Sequence, residues 1–502
     1  MTELPELVVA DRDAGAGAEL GAVGLVVVGA FEGEAPEPAG LPPAVAAAAG
    51  RLAARPGWRG HEEQRAEAGL ESGGPVVALQ GLGKRARLTA QGLARWLRDA
   101  VDAGQKNGFE SIAVALPAHP ETAGAGAPER VERGLLTAAY RFDRFQTERD
   151  RPGVRARRLV AVPPAGAAAD YRAAAGAARA VAAGVGLSRD LANTPANEAS
   201  PAWMEERCRE LAAEHGMRVT VLDAAELARR GMGGLLAVGS GSAQPPRLVR
   251  LDLDRGGPRV ALVGKGVTFD TGGISLKPAD KMAEMKYDKC GACTALGAAR
   301  AAAELGLPVA LSVYLPLAEN MPDGSSCRPG DIVRCYNGKT VEILNTDAEG
   351  RLILADALAW AAEEEPAAVL ELSTLTGAAV VALGHEAAAL YTPDDGLAGE
   401  LAAAAAASGD RLWRMPLFPE VAEQLKGDHA DLKNLGSRWG GANFAAAFLG
   451  QFVGAVARWA HLDIAGVAYV GENDDEPKGA TGWGVHLAVD WLRAGAGRTP
   501  GE

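Results

Sequence analysis

The run Val263-Gly264-Lys265-Gly266-Val267-Thr268-Phe269-Asp270-Thr271-Gly272-Gly273 continues the apolar stretch Arg259–Val263. It reads as a strand opening into a Gly-rich, charged turn, and it is followed by Lys277 and Asp288. Glycines beside charges let the backbone approach whatever those charges bind. A second such turn, Asn345-Thr346-Asp347-Ala348-Glu349-Gly350-Arg351-Leu352, follows the mostly apolar Val341–Leu344. Open α/β sheets hold their ligands at strand ends and in the loops beyond them.

Outward from these turns, Arg247–Leu253, Val309–Leu315 and Ala368–Leu372 read as further strands. Trp203–His215, Gly291–Leu305 and Leu352–Glu364 read as helices. Earlier in the chain, apolar runs at Leu25–Val28, Val76–Leu79 and Ile112–Leu116 alternate with helical patterns such as Thr89–Ala103, again an α/β arrangement. Thr147–Arg158 is charged and carries Pro152 and Gly153, as a loop would, and its Arg-rich part reads as a solvated linker. Leu159–Val162 is a closing strand, stopped by Pro163 and Pro164, and the Ala-rich Tyr171–Leu191 reads as a long helix. The expected fold is α/β in two domains. The smaller amino-terminal domain spans 1–165. The catalytic domain spans 166–502, with a mixed central sheet flanked by helices and a connecting helix over 168–190.

The chain of 502 residues is long enough for two cores, and 23% charged with 48% hydrophobic residues is an ordinary globular balance. A net charge of -13 argues against unspecific nucleic-acid binding, which needs a cationic surface. Five cysteines are too sparse for a disulfide scaffold and fit a reducing cytoplasm. The acidic start MTELPELVVADRD lacks the cationic opening of a signal peptide, and no apolar run reaches the ~18 residues of a membrane span. The expectation is a cytoplasmic protein with no membrane partner.

Asp270, Asp288, Asp347 and Glu349 form a carboxylate set without a neighbouring His. Converging in one pocket they would repel unless cations neutralised them, and oxygen-rich sites suit Mn²⁺ or Mg²⁺, with Zn²⁺ also accepting carboxylates. Two divalent ions could activate a water and clamp a carbonyl oxygen. From spacing alone, four solvated acids in loops remain the alternative, because Asp and Glu are common in turns.

Both turns resemble the motifs of the leucyl aminopeptidase (cytosol aminopeptidase) family, as do Asp190-Leu191-Ala192-Asn193-Thr194-Pro195, Glu319-Asn320-Met321-Pro322, Thr374-Leu375-Thr376-Gly377-Ala378 and Ala460-His461-Leu462-Asp463-Ile464-Ala465-Gly466. The resemblance runs from about Leu187 to Leu492 and is looser before residue 165. It implies a metallo-exopeptidase that releases amino-terminal residues, preferably Leu-like, from peptide substrates. Lys265, Asp270, Asp288 and Glu349 would hold the tighter of two Mn²⁺ or Zn²⁺ ions. Asp270, Asp347 and Glu349 would hold the more exchangeable one. Lys277 would stabilise the oxyanion, and Arg351 would hold a bicarbonate serving as general base. Met285, Asn345, Ala348, Thr374 and Gly377 would surround the first side chain. A homohexamer is implied as well. Narrower or different roles in similar proteins, a Cys-Gly dipeptidase and a DNA-binding regulator, are the competing expectations.

Two stretches depart from the family pattern. Lys289-Cys290-Gly291-Ala292-Cys293 stands where Met and small residues are usual, and Asn443-Phe444 where an aliphatic and a small residue are usual. Cys290-x-x-Cys293 alone suggests a redox pair or half a zinc site. No second pair exists to complete a zinc site, so both thiols read as small packing residues. Gly264-x-Gly266 is a weak echo of a nucleotide loop beside acids that would repel phosphate. His385, His429, His461 and His486 lack paired spacing.

Overall fold

A computed structural model describes residues 2–70, 73–147, 153–471 and 478–496. The chain divides into Met1–Gly186 and Leu187–Glu502, a division that falls inside the helix Ala168–Asn193 and later than residue 165. Of the charged segment Thr147–Arg158, residues 148–152 lie outside those described.

In the first unit, six strands run in the order Glu6–Val9, Arg158–Val162, Ser111–Ala115, Leu25–Ala30, Val76–Gly81, Arg65–Ala68. Each adjacent pair is parallel except the last. The strand period of two sends alternate side chains to opposite faces. Leu25 and Val27 accordingly join one core with Trp96 and Leu135, while Val26 and Val28 join another with Val45 and Leu52. Burial on both faces explains why these strands are continuous apolar runs.

The second unit is built on a larger mixed sheet. Its order is Leu412–Arg414, Ala388–Tyr391, Trp459–Asp463, Ala368–Ser373, Arg259–Gly264, Ala310–Asn320, Arg247–Asp254, Arg218–Leu222. The central four are parallel, and Ala388–Tyr391 on one side and Arg247–Asp254 on the other pair with them antiparallel. Ala261 and Val263 share a core with Leu352 and Ile353 of the helix Gly350–Ala362, and Val260 and Leu262 are equally buried on the opposite face. The helix Cys290–Glu304 packs on the same strands.

The strand expected over Val309–Leu315 runs on to Asn320. It pairs first with Arg259–Val263 and then, from Leu317, with Gly266–Asp270. Pro316, which has no donor to give a ladder, falls at this change of partner. Lys265 sits at the matching break between the two shorter strands. Among the described residues, no helix is long and apolar enough to cross a membrane.

Candidate metal centre

The break at Lys265 is fixed from both sides by backbone bonds. Its N–H donates to Leu372 O (3.0 Å), and its carbonyl accepts from Ala292 N–H (2.8 Å). That approach requires Gly291, where an added Cβ would lie 2.1 Å from Leu372 O. With its backbone pinned, Lys265 aims its buried Nζ between Asp288 Oδ1 (2.7 Å) and Glu349 Oε1 (2.8 Å), and also donates to Thr374 O (3.2 Å).

Three elements deliver the four acids. Asp270 ends the strand Gly266–Asp270, and Asp288 lies in the 3₁₀ turn Met282–Lys289. Asp347 and Glu349 lie in the turn before the helix Gly350–Ala362. Lys277, on the loop after Asp270, places Nζ 2.6 Å from Asp270 Oδ2 and in contact with Asp347 Oδ1. Asp270, Asp347 and Glu349 each bring a carboxylate oxygen within 4.8 Å of the others. Asp288 stands outside that trio and is joined to it through Lys265.

The electrostatics follow from burial and crowding. Burial, then the charge of Glu349, pushes Asp270 up to about 6. Burial also raises Asp288 and Asp347. Burial opposes ionisation of Glu349 too, but Lys265 and Lys277 outweigh it and its pKa is lowered. For both lysines burial works against the charge, and the surrounding carboxylates reverse the outcome, so both are raised.

Two atoms are left over. Asp288 Oδ2 and Arg351 Nε are buried without a hydrogen-bond partner. Buried polar atoms are normally satisfied, so each is an atom that a bound ion would satisfy. A crowded oxygen set with an orphaned carboxylate oxygen suits divalent cations. An orphaned N–H on a buried guanidinium suits a small anion. Arg351 donates Nη1–H to Asn434 O (3.0 Å), and burial lowers its pKa to about 10.

The residues expected around the substrate divide. Thr374 donates Oγ1–H to Asp288 Oδ1 (2.8 Å). Asn345 Oδ1 accepts the Asp347 N–H (2.8 Å). Ala348 is buried between Asp347 and Glu349. Met285 is half-buried in the Asp288 turn, and Gly377 is exposed at the start of the helix Gly377–Leu383. Neither is bonded to the acids. Of the two departures, Phe444 is turned into the core, and Asn443 bridges Tyr391 Oη (3.3 Å) and Pro416 O (2.8 Å). Cys290 and Cys293 are buried, and burial pushes both thiols up, Cys293 to about 12.

The roles of several residues were not read from the sequence. Asn320 donates to Asp270 Oδ1 (2.8 Å) and Thr346 O (3.1 Å). Lys289 is fully buried and gives its three protons to the carbonyls of Ala192 (3.1 Å), Thr194 (3.0 Å) and Lys286 (2.5 Å). Asp463 accepts from Thr376 Oγ1 (2.7 Å) and Leu375 N (3.2 Å), bracing the loop that holds Thr374. His461 contacts Glu371 on the adjacent strand and stacks on Tyr391, which makes it a core residue. Asn320 and Asp463 lie in the family-like motifs and could have been found there.

The chain is similar to known proteins over both of its units. Residues 186–489 match the model of the cytosol aminopeptidase family, catalytic domain, and 27–149 match that family's N-terminal domain. A protein of Syntrophotalea carbinolica described as "Probable cytosol aminopeptidase" is 46% identical over 83% of this chain and 85% of its own. One of Geobacter sp. strain M21 with the same description is 45% identical over the same shares. Among solved structures, "Bottromycin maturation enzyme BotP in complex with Mn" superposes with a TM-score of 0.84 at 36% identity, covering 94% of this chain and 99% of that one. The chain therefore belongs to the cytosol aminopeptidase family and is a metal-dependent aminopeptidase.

Proposed function

We propose that this chain releases amino-terminal residues, Leu-like ones preferentially, from peptides with the help of two divalent ions held by Lys265, Asp270, Asp288, Asp347 and Glu349. The observation that carries the reading is the crowded trio Asp270, Asp347 and Glu349, with Asp288 Oδ2 buried and unpaired beside it. Mn²⁺ is the favoured ion, because the ligands are oxygen-rich and BotP was solved with Mn; Zn²⁺ is the alternative. Such ions supply a Lewis acid and a nucleophilic water when bound.

The chain's own groups do the rest. Lys265 would offer a neutral amine to the tighter ion, since a dication beside it removes the advantage of its charge. Lys277, less buried, stays cationic and donates to the carbonyl oxygen of the scissile bond as that oxygen gains charge. Arg351, with Nε–H unspent, would hold a bicarbonate, which would supply a general base there. Met285 and Ala348 give the first side chain an adaptable apolar wall. By family resemblance the assembly is a hexamer.

A free and an acetylated leucyl peptide separate this from an endopeptidase. An acetylated nitrogen is a poor ligand, so the free peptide is expected to be cleaved and the blocked one spared. Comparable turnover of both would sink the reading.

A further inference from the structure

The metal turn is held from behind by a residue far away in sequence. Asn434 is fully buried, just after the short strand Leu432–Lys433. Its Oδ1 accepts the N–H of Leu344 (2.8 Å) and of Asn345 (3.4 Å). Its Nδ2 donates to the carbonyls of Asn345 (2.7 Å) and Ala348 (3.4 Å). A carboxamide has two acceptor lone pairs and two donor protons, and here all four go to one turn. Only one orientation of the amide works, because the oxygen faces two N–H groups and the nitrogen faces two carbonyls. The backbone of Asn434 completes the clamp. Its N–H donates to Glu342 O (2.9 Å) ahead of the turn, and its carbonyl takes Arg351 Nη1–H (3.0 Å) behind it.

We propose that Asn434 is a positioning residue of the metal centre, its side chain setting where the Leu344–Arg351 turn presents Asp347 and Glu349. The proposal rests on the reading that those acids hold metal. The amide carries on to the turn the pairing that Leu432–Lys433 makes with Val341–Glu342. It also adds no charge to a site already crowded with carboxylates. Aspartate would keep the acceptor, lose both donors against Asn345 O and Ala348 O, and bring a further negative charge.

Full-length protein stripped by chelator and titrated calorimetrically with Mn²⁺, without substrate, tests this. Asn434→Ala is expected to bind Mn²⁺ about 10–100-fold more weakly, the usual effect of removing a group that orients metal ligands. At saturating Mn²⁺ its kcat should fall more than its KM changes. The comparison is Thr122→Val, which removes a buried bond to Pro117 O (2.7 Å) in the other unit. It should lower Tm and leave Mn²⁺ affinity alone. Asn434→Asp, expected to weaken Mn²⁺ binding similarly, stands in if the alanine variant does not fold. Wild-type Mn²⁺ affinity and kcat in the folded Asn434 variant overturn this inference alone. A wild type that takes up no Mn²⁺ overturns the metal reading and this inference with it.

Discussion

Gly350 has no room for a side chain because Lys265 occupies it: a Cβ there would sit 2.5 Å from Lys265 Cε and 2.7 Å from Nζ. Lysine tips usually yield, but this one is held by Asp288 and Glu349. Gly350→Ala should therefore push Lys265 off its acids. Overpacking costs about 1–3 kcal/mol, which outweighs the about 1 kcal/mol that Ala gains over Gly in a helix. Lower Tm, weaker Mn²⁺ binding and a fall in kcat are expected together. A variant as stable and active as wild type would show that Lys265 is free to move.

The two lysines should fail differently. Lys265→Ala removes a proposed ligand, so bound metal should drop and excess Mn²⁺ should partly restore activity. Lys277→Ala should keep its metal but lose a donor used mainly in the transition state, on the order of 10²–10³ in kcat, ~3–4 kcal/mol. Elemental analysis beside kinetics separates the outcomes. Metal loss in Lys277→Ala with retention in Lys265→Ala reverses the roles.

Both acid-bearing turns were legible in the sequence because charge, glycine and a preceding apolar run coincide within a few residues. Asn434 was not, because its partners are backbone groups 86–90 residues away and a lone Asn carries no periodic signal. Lys289 was visible as an unusual residue, but nothing local announces that a lysine will be buried against three carbonyls. The parallel strands were readable as apolar runs, while the far half of Ala310–Asn320 was hidden by Pro316 and by the polar Glu319 and Asn320.

Glu132, in the first unit, is buried with neither carboxylate oxygen bonded, and burial raises its pKa from 4.5 to about 8. The folded state thus holds a proton that the unfolded state releases earlier. This group's favourable contribution is full below about pH 4.5 and is lost as pH climbs through about 8, by at most about 1.4 kcal/mol per pH unit. Glu132→Gln keeps the shape and removes the titration. Its Tm should exceed that of the wild type increasingly between about pH 5 and about pH 9. A constant difference across that range would show that Glu132 finds a partner when charged.

Cys290 and Cys293 should be inert packing groups, since burial favours the thiol over the reactive thiolate. A charged alkylating reagent should leave both unmodified in the native protein, and Cys293→Ala should retain most activity. Rapid modification with loss of turnover would assign the pair a chemical role.

The central claim is that this acid cluster works through bound metal. Metal content and hydrolysis of a free leucyl peptide, followed together as Mn²⁺ is returned to chelator-stripped protein, test it most directly. The account predicts no turnover without metal, and activity that rises with Mn²⁺ uptake and levels off as binding approaches two ions per chain. Full activity in protein shown to be free of metal would contradict it.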